Sequence, residues 1–148
     1  MSRDPIAELV HLYADAVVNF DGEQWGATWA PDARWTLIPG RTQEGRDAIV
    51  EFWYRAMGTF DAVVQTVLNG TYTLDEEAGA GSGRWHIQES FRRTNGEVGI
   101  LLAHYDDAYV LVDGRWCFAE RSLVVHYAGP PDLSAPFLNA GAWAKNED

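Results

Sequence analysis

The sequence has one cysteine, one lysine and no long apolar run. Cys117 alone excludes an internal disulfide and a cysteine-rich zinc site. No stretch approaches the roughly 18–20 apolar residues of a membrane-spanning helix. Met1-Ser2-Arg3-Asp4-Pro5 lacks the charged-then-apolar order of a secretory leader, so a cytoplasmic protein is expected. The 11 basic residues, ten Arg and Lys145, face 22 acidic ones, for a net charge of −11. Clustered positive charge is therefore scarce, and neither nucleic acid nor a membrane is an expected partner. A Gly-rich phosphate loop, a Gly-x-Ser-x-Gly elbow and a His-x-x-x-His pair are absent too. The four histidines are scattered, so no metal is expected unless tertiary assembly gathers them.

Aromatic residues are plentiful, with seven Trp, six Tyr and six Phe in 148 residues. That excess suits a packed core together with an apolar pocket or a subunit interface. The length fits one domain. Asp4 and Pro5 start a first helix, with Ile6, Leu9, Val10, Tyr13, Ala16 and Val17 along one face. Asp21 and Gln24 have capping-box spacing for a short second helix carrying Trp25 and Trp29. A strand over 33–38, a loop over 39–45 and a third helix over 46–57, stopped by Gly58, follow.

Four long strands complete the expectation, over 62–75, 83–93, 98–112 and 115–127. Turn signals at Glu76–Ser82, Thr94-Asn95-Gly96-Glu97 and Asp113-Gly114 separate them. Sequential hairpins predict an antiparallel sheet. The fold class expected is α+β, a curved sheet wrapped as a cone over the N-terminal helices, with a ligand site at its open end. The domain is expected over 1–128, with 129–148 as a C-terminal tail.

Three stretches resemble the SnoaL-like branch of the nuclear transport factor 2-like superfamily. They are Phe20-Asp21-Gly22-Glu23-Gln24-Trp25 with Trp29 to Trp35, Gly45-Arg46-Asp47-Ala48-Ile49, and His104 to Tyr109 with Asp113 to Arg121. That branch includes scytalone dehydratase, bile-acid 7α-dehydratase and hexachlorocyclohexane dehydrochlorinase. The resemblance implies the α+β cone, a cofactor-free lyase or isomerase, and a small apolar cyclic substrate such as a polyketide, steroid, terpenoid or aromatic. Dehydration is foremost among the reactions implied. A homodimer through the outer sheet face is expected from the fold. The same fold also serves non-catalytic binding or assembly domains, and a third reading is epoxide hydrolysis through clustered Asp21, Arg121 and Asp107.

The expected catalytic residues are Asp21, His86, Tyr105 and Arg121. The resemblance places Asp21 in the pocket as a partner to a histidine, while its spacing equally makes it a helix cap. Gln65 stands where the resemblance puts that histidine, and an amide is no general base. Alternation groups Arg84, His86 and Gln88 on one face and Trp85, Ile87 and Glu89 on the other. The resemblance turns the His86 face inward, which offers His86 as the replacement base. Tyr105 is expected inward as a hydroxyl donor, and at least one of Asp106 and Asp107 exposed. Arg121 matches a pocket arginine of the branch and needs a carboxylate partner if buried, with Asp21 or Glu89 as candidates. The expected substrate-binding residues are Gln65, Gln88, Leu101, Asp107 and Val125. Cys117 reads as packing.

Overall fold

The computed structural model describes residues 4–138. Helix α1 (Pro5–Asn19) starts at Asp4, whose carboxylate accepts the Ile6 and Ala7 amides. Its apolar stripe is buried from Ile6 to Val17. Phe20 closes the helix in the left-handed conformation at φ 53° and stacks on Trp53 at 5.4 Å. Asp21 caps the short helix α2 (Gly22–Ala27).

Trp29 does not belong to α2. It opens strand β1 (Trp29–Ile38), because the Phe118 amide donates to Thr28 O at 2.8 Å and draws the chain into the sheet directly after the helix. The segment after β1 is not a plain loop either. Strand β2 (Arg41–Glu44) pairs with β1 antiparallel. Helix α3 (Arg46–Met57) follows, anchored where Arg46 Nε donates to Trp29 O at 3.0 Å.

Strands β3 (Phe60–Asp75), β4 (Ala80–Arg93), β5 (Val98–Val112) and β6 (Arg115–Gly129) form the expected meander. The β3/β4 register shifts between Val67 and Gly70. A Cβ on Gly70 would lie 2.3 Å from the Trp85 ring, so the bulge lets that indole pack onto bare backbone.

The sheet has six strands in the order β2-β1-β6-β5-β4-β3. It is mixed rather than antiparallel throughout, because β1 runs parallel to β6. With β2 and β3 as its two edges the curved sheet does not close into a barrel. The helices cover the face carrying Trp85, Ile87, Ala103, Tyr105 and Phe118, all part of the buried core. Around Trp25 the core is a cluster of indoles, stacked on Trp53 with ring centres 4.8 Å apart and edge-on to Trp35 at 5.0 Å. Beyond β6 the expected tail turns back on the strand. Leu138 N donates to His126 O at 2.7 Å, and Phe137 packs on Tyr127. Residues 139–148 lie outside the described region.

Candidate active site

The site is built on a buried ion pair. Arg121 is fully buried, and Asp107 lies directly opposite it in the β5/β6 ladder. Arg121 Nε and Nη2 reach Asp107 Oδ1 and Oδ2 at 2.7 and 3.1 Å, a two-pronged contact. Tyr109 donates a further bond to Asp107 Oδ2 at 3.0 Å and accepts one from Trp85 Nε1 at 3.0 Å. Three rings surround the guanidinium carbon, with centres 3.8 Å (Tyr105), 4.1 Å (Phe118) and 4.4 Å (Tyr13) away. Burial opposes the Arg121 charge, yet the paired Asp107 carboxylate raises its pKa above the ordinary arginine value. Burial raises Asp107, against the pull of Arg121. Arg121 thus stays charged, and its field is fixed beneath the tyrosines.

Above this pair lies a cavity of about 360 Å³, within the range of small-molecule sites. Its walls are mainly apolar, including Trp35, Phe52, Trp53, Phe60, Phe91 and Leu123. Its polar groups include Tyr13 on α1, Gln65 on β3, Glu89 and Arg93 on β4, and Tyr105 on β5. The Tyr13 and Tyr105 hydroxyls share a hydrogen bond of 3.3 Å. Gln65 Nε2 donates to Glu89 Oε1 at 2.6 Å.

Burial pushes the Glu89 pKa above the usual carboxylate value, with Gln65 and Arg93 pulling it partly back. Burial also pushes Tyr13 up to about 12 and Tyr105 well above the ordinary phenol value. Both phenols therefore remain O–H donors at neutral pH. The Trp35 indole N–H, in the same cavity wall, is buried and has no hydrogen-bond partner within the described chain. A carboxyl group able to gain and lose a proton and two hydroxyl donors backed by a cation thus share one apolar chamber.

Tyr105, Gln65 and Leu101 line this cavity, and Arg121 and Asp107 lie directly beneath its tyrosines. Asp107 is buried, whereas Asp106 is exposed. The partner of Arg121 is Asp107, not Asp21 or Glu89. Val125 pairs with Ala103 and is not part of the cavity lining.

Further expectations fail on placement. His86 and Gln88 point to the opposite face of the sheet, because Trp85 and Ile87 take the core and Glu89 takes the cavity wall. Asp21 is exposed and accepts the Gln24 amide at 3.0 Å, so its carboxylate caps α2 outside the cavity. The cluster of Asp21, Arg121 and Asp107 needed for epoxide hydrolysis consequently does not form. Glu89 and Tyr13 are the residues that sequence reasoning left out of the site. The signal for Glu89 was present as a charged residue in phase with Trp85 and Ile87.

A second hollow of about 450 Å³ lies between α1, α2 and the β5–β6 turn. Its Gln24 amide is already committed to Leu12 O and Asp15, and Arg115 is exposed, so it gathers no comparable set of buried groups.

A sequence profile described as a SnoaL-like domain matches residues 1–122. No curated protein matches the chain in sequence. Solved structures resemble it closely in fold. A candidate scytalone dehydratase from Novosphingobium aromaticivorans is 23% identical, with 93% of each chain covered and a TM-score of 0.80. A type 2 hexachlorocyclohexane dehydrochlorinase is 17% identical, with 93% of each chain covered and a TM-score of 0.79. The type 3 enzyme from Novosphingobium barchaimii is 17% identical over 90% of this chain and 91% of its own, with a TM-score of 0.77.

Proposed function

The chain belongs to the SnoaL-like domain family, and we propose that it is a cofactor-free lyase or isomerase that removes a proton beside a carbonyl of an apolar cyclic substrate, with dehydration as the foremost reaction. One observation carries this reading: Glu89, with its raised pKa, shares an apolar cavity with the paired Tyr13 and Tyr105 hydroxyls.

In the proposed reaction the Glu89 carboxylate takes a proton from the carbon next to the carbonyl. The C–H electron pair moves into the ring, and the oxygen that gains negative charge accepts hydrogen bonds from Tyr13 and Tyr105. Arg121 sits against both rings and stabilises that charge electrostatically. In a dehydration, protonated Glu89 then returns its proton to a β-hydroxyl, the C–O bond breaks and water leaves. In an isomerisation the proton returns to another ring carbon. Gln65 holds the carboxylate in place through its 2.6 Å bond. The names of the dehydratase and dehydrochlorinase neighbours agree with elimination chemistry on this fold.

The test is a turnover screen in deuterated water over cyclic ketones and β-hydroxy ring ketones, read by mass spectrometry. Wild type and Asp21→Asn are expected to take up deuterium or eliminate water, and Glu89→Gln to lose that reaction. A Glu89→Gln protein that keeps the wild-type rate overturns the assignment. If no compound reacts but one raises the melting temperature, the chain is a binding domain instead.

A further inference from the structure

The sheet face opposite the cavity carries a second constellation. His86, His104 and His126 come from three neighbouring strands, β4, β5 and β6. Far apart in sequence, they meet for two structural reasons. His86 and His104 are directly opposed in the β4/β5 register. In the β5/β6 ladder the register shifts between Leu102 and Ala103, which pair with Tyr127 and Val125, so His126 is the inserted residue and its ring comes to rest beside His104.

One nitrogen from each of the three rings lies within 4.8 Å of the others, and His104 Nδ1 is 2.8 Å from His126 Nε2. A tetrahedral zinc ion with Zn–N bonds of about 2.0–2.1 Å sets its ligand nitrogens about 3.3–3.4 Å apart. The 2.8 Å hydrogen-bonding contact lies below that edge length and the 4.8 Å limit above it, so the three nitrogens already stand on the scale of one coordination shell, and an ion would take the place of the His104–His126 contact.

A second observation points the same way. The other nitrogen of His104, Nε2, faces Asp106 Oδ1 at 3.4 Å, and Arg84 Nε holds the same oxygen at 3.2 Å. A carboxylate behind a ligating imidazole fixes its tautomer and orientation and raises its basicity, the usual outer support of a metal-bound histidine. The net charge of −11 favours the approach of cations.

We propose that His86, His104 and His126 bind one divalent transition-metal ion per chain, Zn2+ in the first instance, with Asp106 orienting His104 and a water completing the coordination. Three imidazoles select a zinc-like ion over Mg2+ or Ca2+, which take oxygen ligands. His86 and His126 are only half-buried, so the fourth position opens towards solvent.

The experiment uses the full chain without an affinity tag, stripped with a chelator and titrated calorimetrically with ZnCl2. About one equivalent per chain is expected, with no response to MgCl2. His126→Gln and His86→Gln should each weaken binding at least about tenfold, and Asp106→Asn about 10–100-fold. His11→Gln, on the exposed side of α1, should leave it unchanged. Co2+ added to the wild type should give the intense visible bands of a four-coordinate ion, a readout that needs no variant to fold. The proposal is overturned by the absence of saturable Zn2+ binding, by binding that survives His126→Gln in a folded protein, or by a purely six-coordinate Co2+ spectrum.

Discussion

Gln65 and Glu89 oppose each other in the β3/β4 register, and the amide of one holds the carboxylate of the other at 2.6 Å inside the cavity. In the family resemblance the Gln65 position belongs to a histidine that works with an acid. Here an amide fills it, and in the proposed reaction the proton-carrying group is Glu89, one strand across. The pair therefore combines a group that titrates with one that only orients.

Glu89→Gln should stabilise the fold, and more so as the pH rises. Because burial raises the folded-state pKa of Glu89, its contribution is fully present below the ordinary carboxylate value and is lost as the pH climbs through the raised one. Each pH unit between the two values is worth about 1.4 kcal/mol. Urea melts of wild type and variant should nearly coincide at acid pH and separate by pH 8. Equal midpoints at pH 8 would show that the carboxyl is not desolvated.

Gln65→Leu should shift the acid limb of the kcat/KM profile to higher pH. The Gln65 hydrogen bond lowers the Glu89 pKa, and the substitution removes it. Carbon NMR of the Glu89 carboxyl should follow the same shift without any substrate. A limb that stays in place would separate Glu89 from the reaction.

Tyr105→Phe should cost little stability and much turnover. The fold loses a hydrogen bond of 3.3 Å to Tyr13, worth on the order of 1 kcal/mol. Removing a donor from the developing oxyanion should lower kcat by roughly 10²–10³-fold with KM nearly unchanged. A rise in KM alone would make the hydroxyl a binding group only.

Asp107→Ala should destabilise the protein by roughly 3–5 kcal/mol, because it leaves the Arg121 cation buried without a partner. Arg121→Met should do similar damage from the other side. Asp107→Leu combined with Arg121→Met should be more stable than either single change, as measured by denaturant midpoints. Additive losses would mean that the two groups do not form one buried unit.

The long strands were legible because each ends in a turn with its own chemistry, such as Asn95-Gly96 or Asp113-Gly114. Strand β2 was not, since Arg41-Thr42-Gln43-Glu44 shows no apolar alternation and sits at an edge. The parallel contact of β1 with β6 joins residues more than 80 positions apart, and no local pattern announces it. Alternation correctly divided β4 into two faces but cannot say which face turns inward. That choice belongs to packing, and the larger apolar pair, Trp85 and Ile87, decided it.

The partner of Arg121 was hidden for a narrower reason. Counting back from the Asp113-Gly114 turn pairs Arg121 with Asp106. The register shift between Ala108 and Tyr109 advances the pairing by one residue to Asp107, on the inner face.

The nest of indoles has a spectroscopic consequence. Trp35 and Trp53 form part of the cavity wall, and both pack against Trp25, with centre separations of 5.0 and 4.8 Å. Chromophores this close share their excited states, so their circular dichroism and emission belong to the group rather than to single rings. A cyclic guest in the cavity lies against two members of that group and perturbs the whole signal. The chain thus carries an intrinsic optical gauge of its own occupancy, with which ligands can be ranked before any product has been identified.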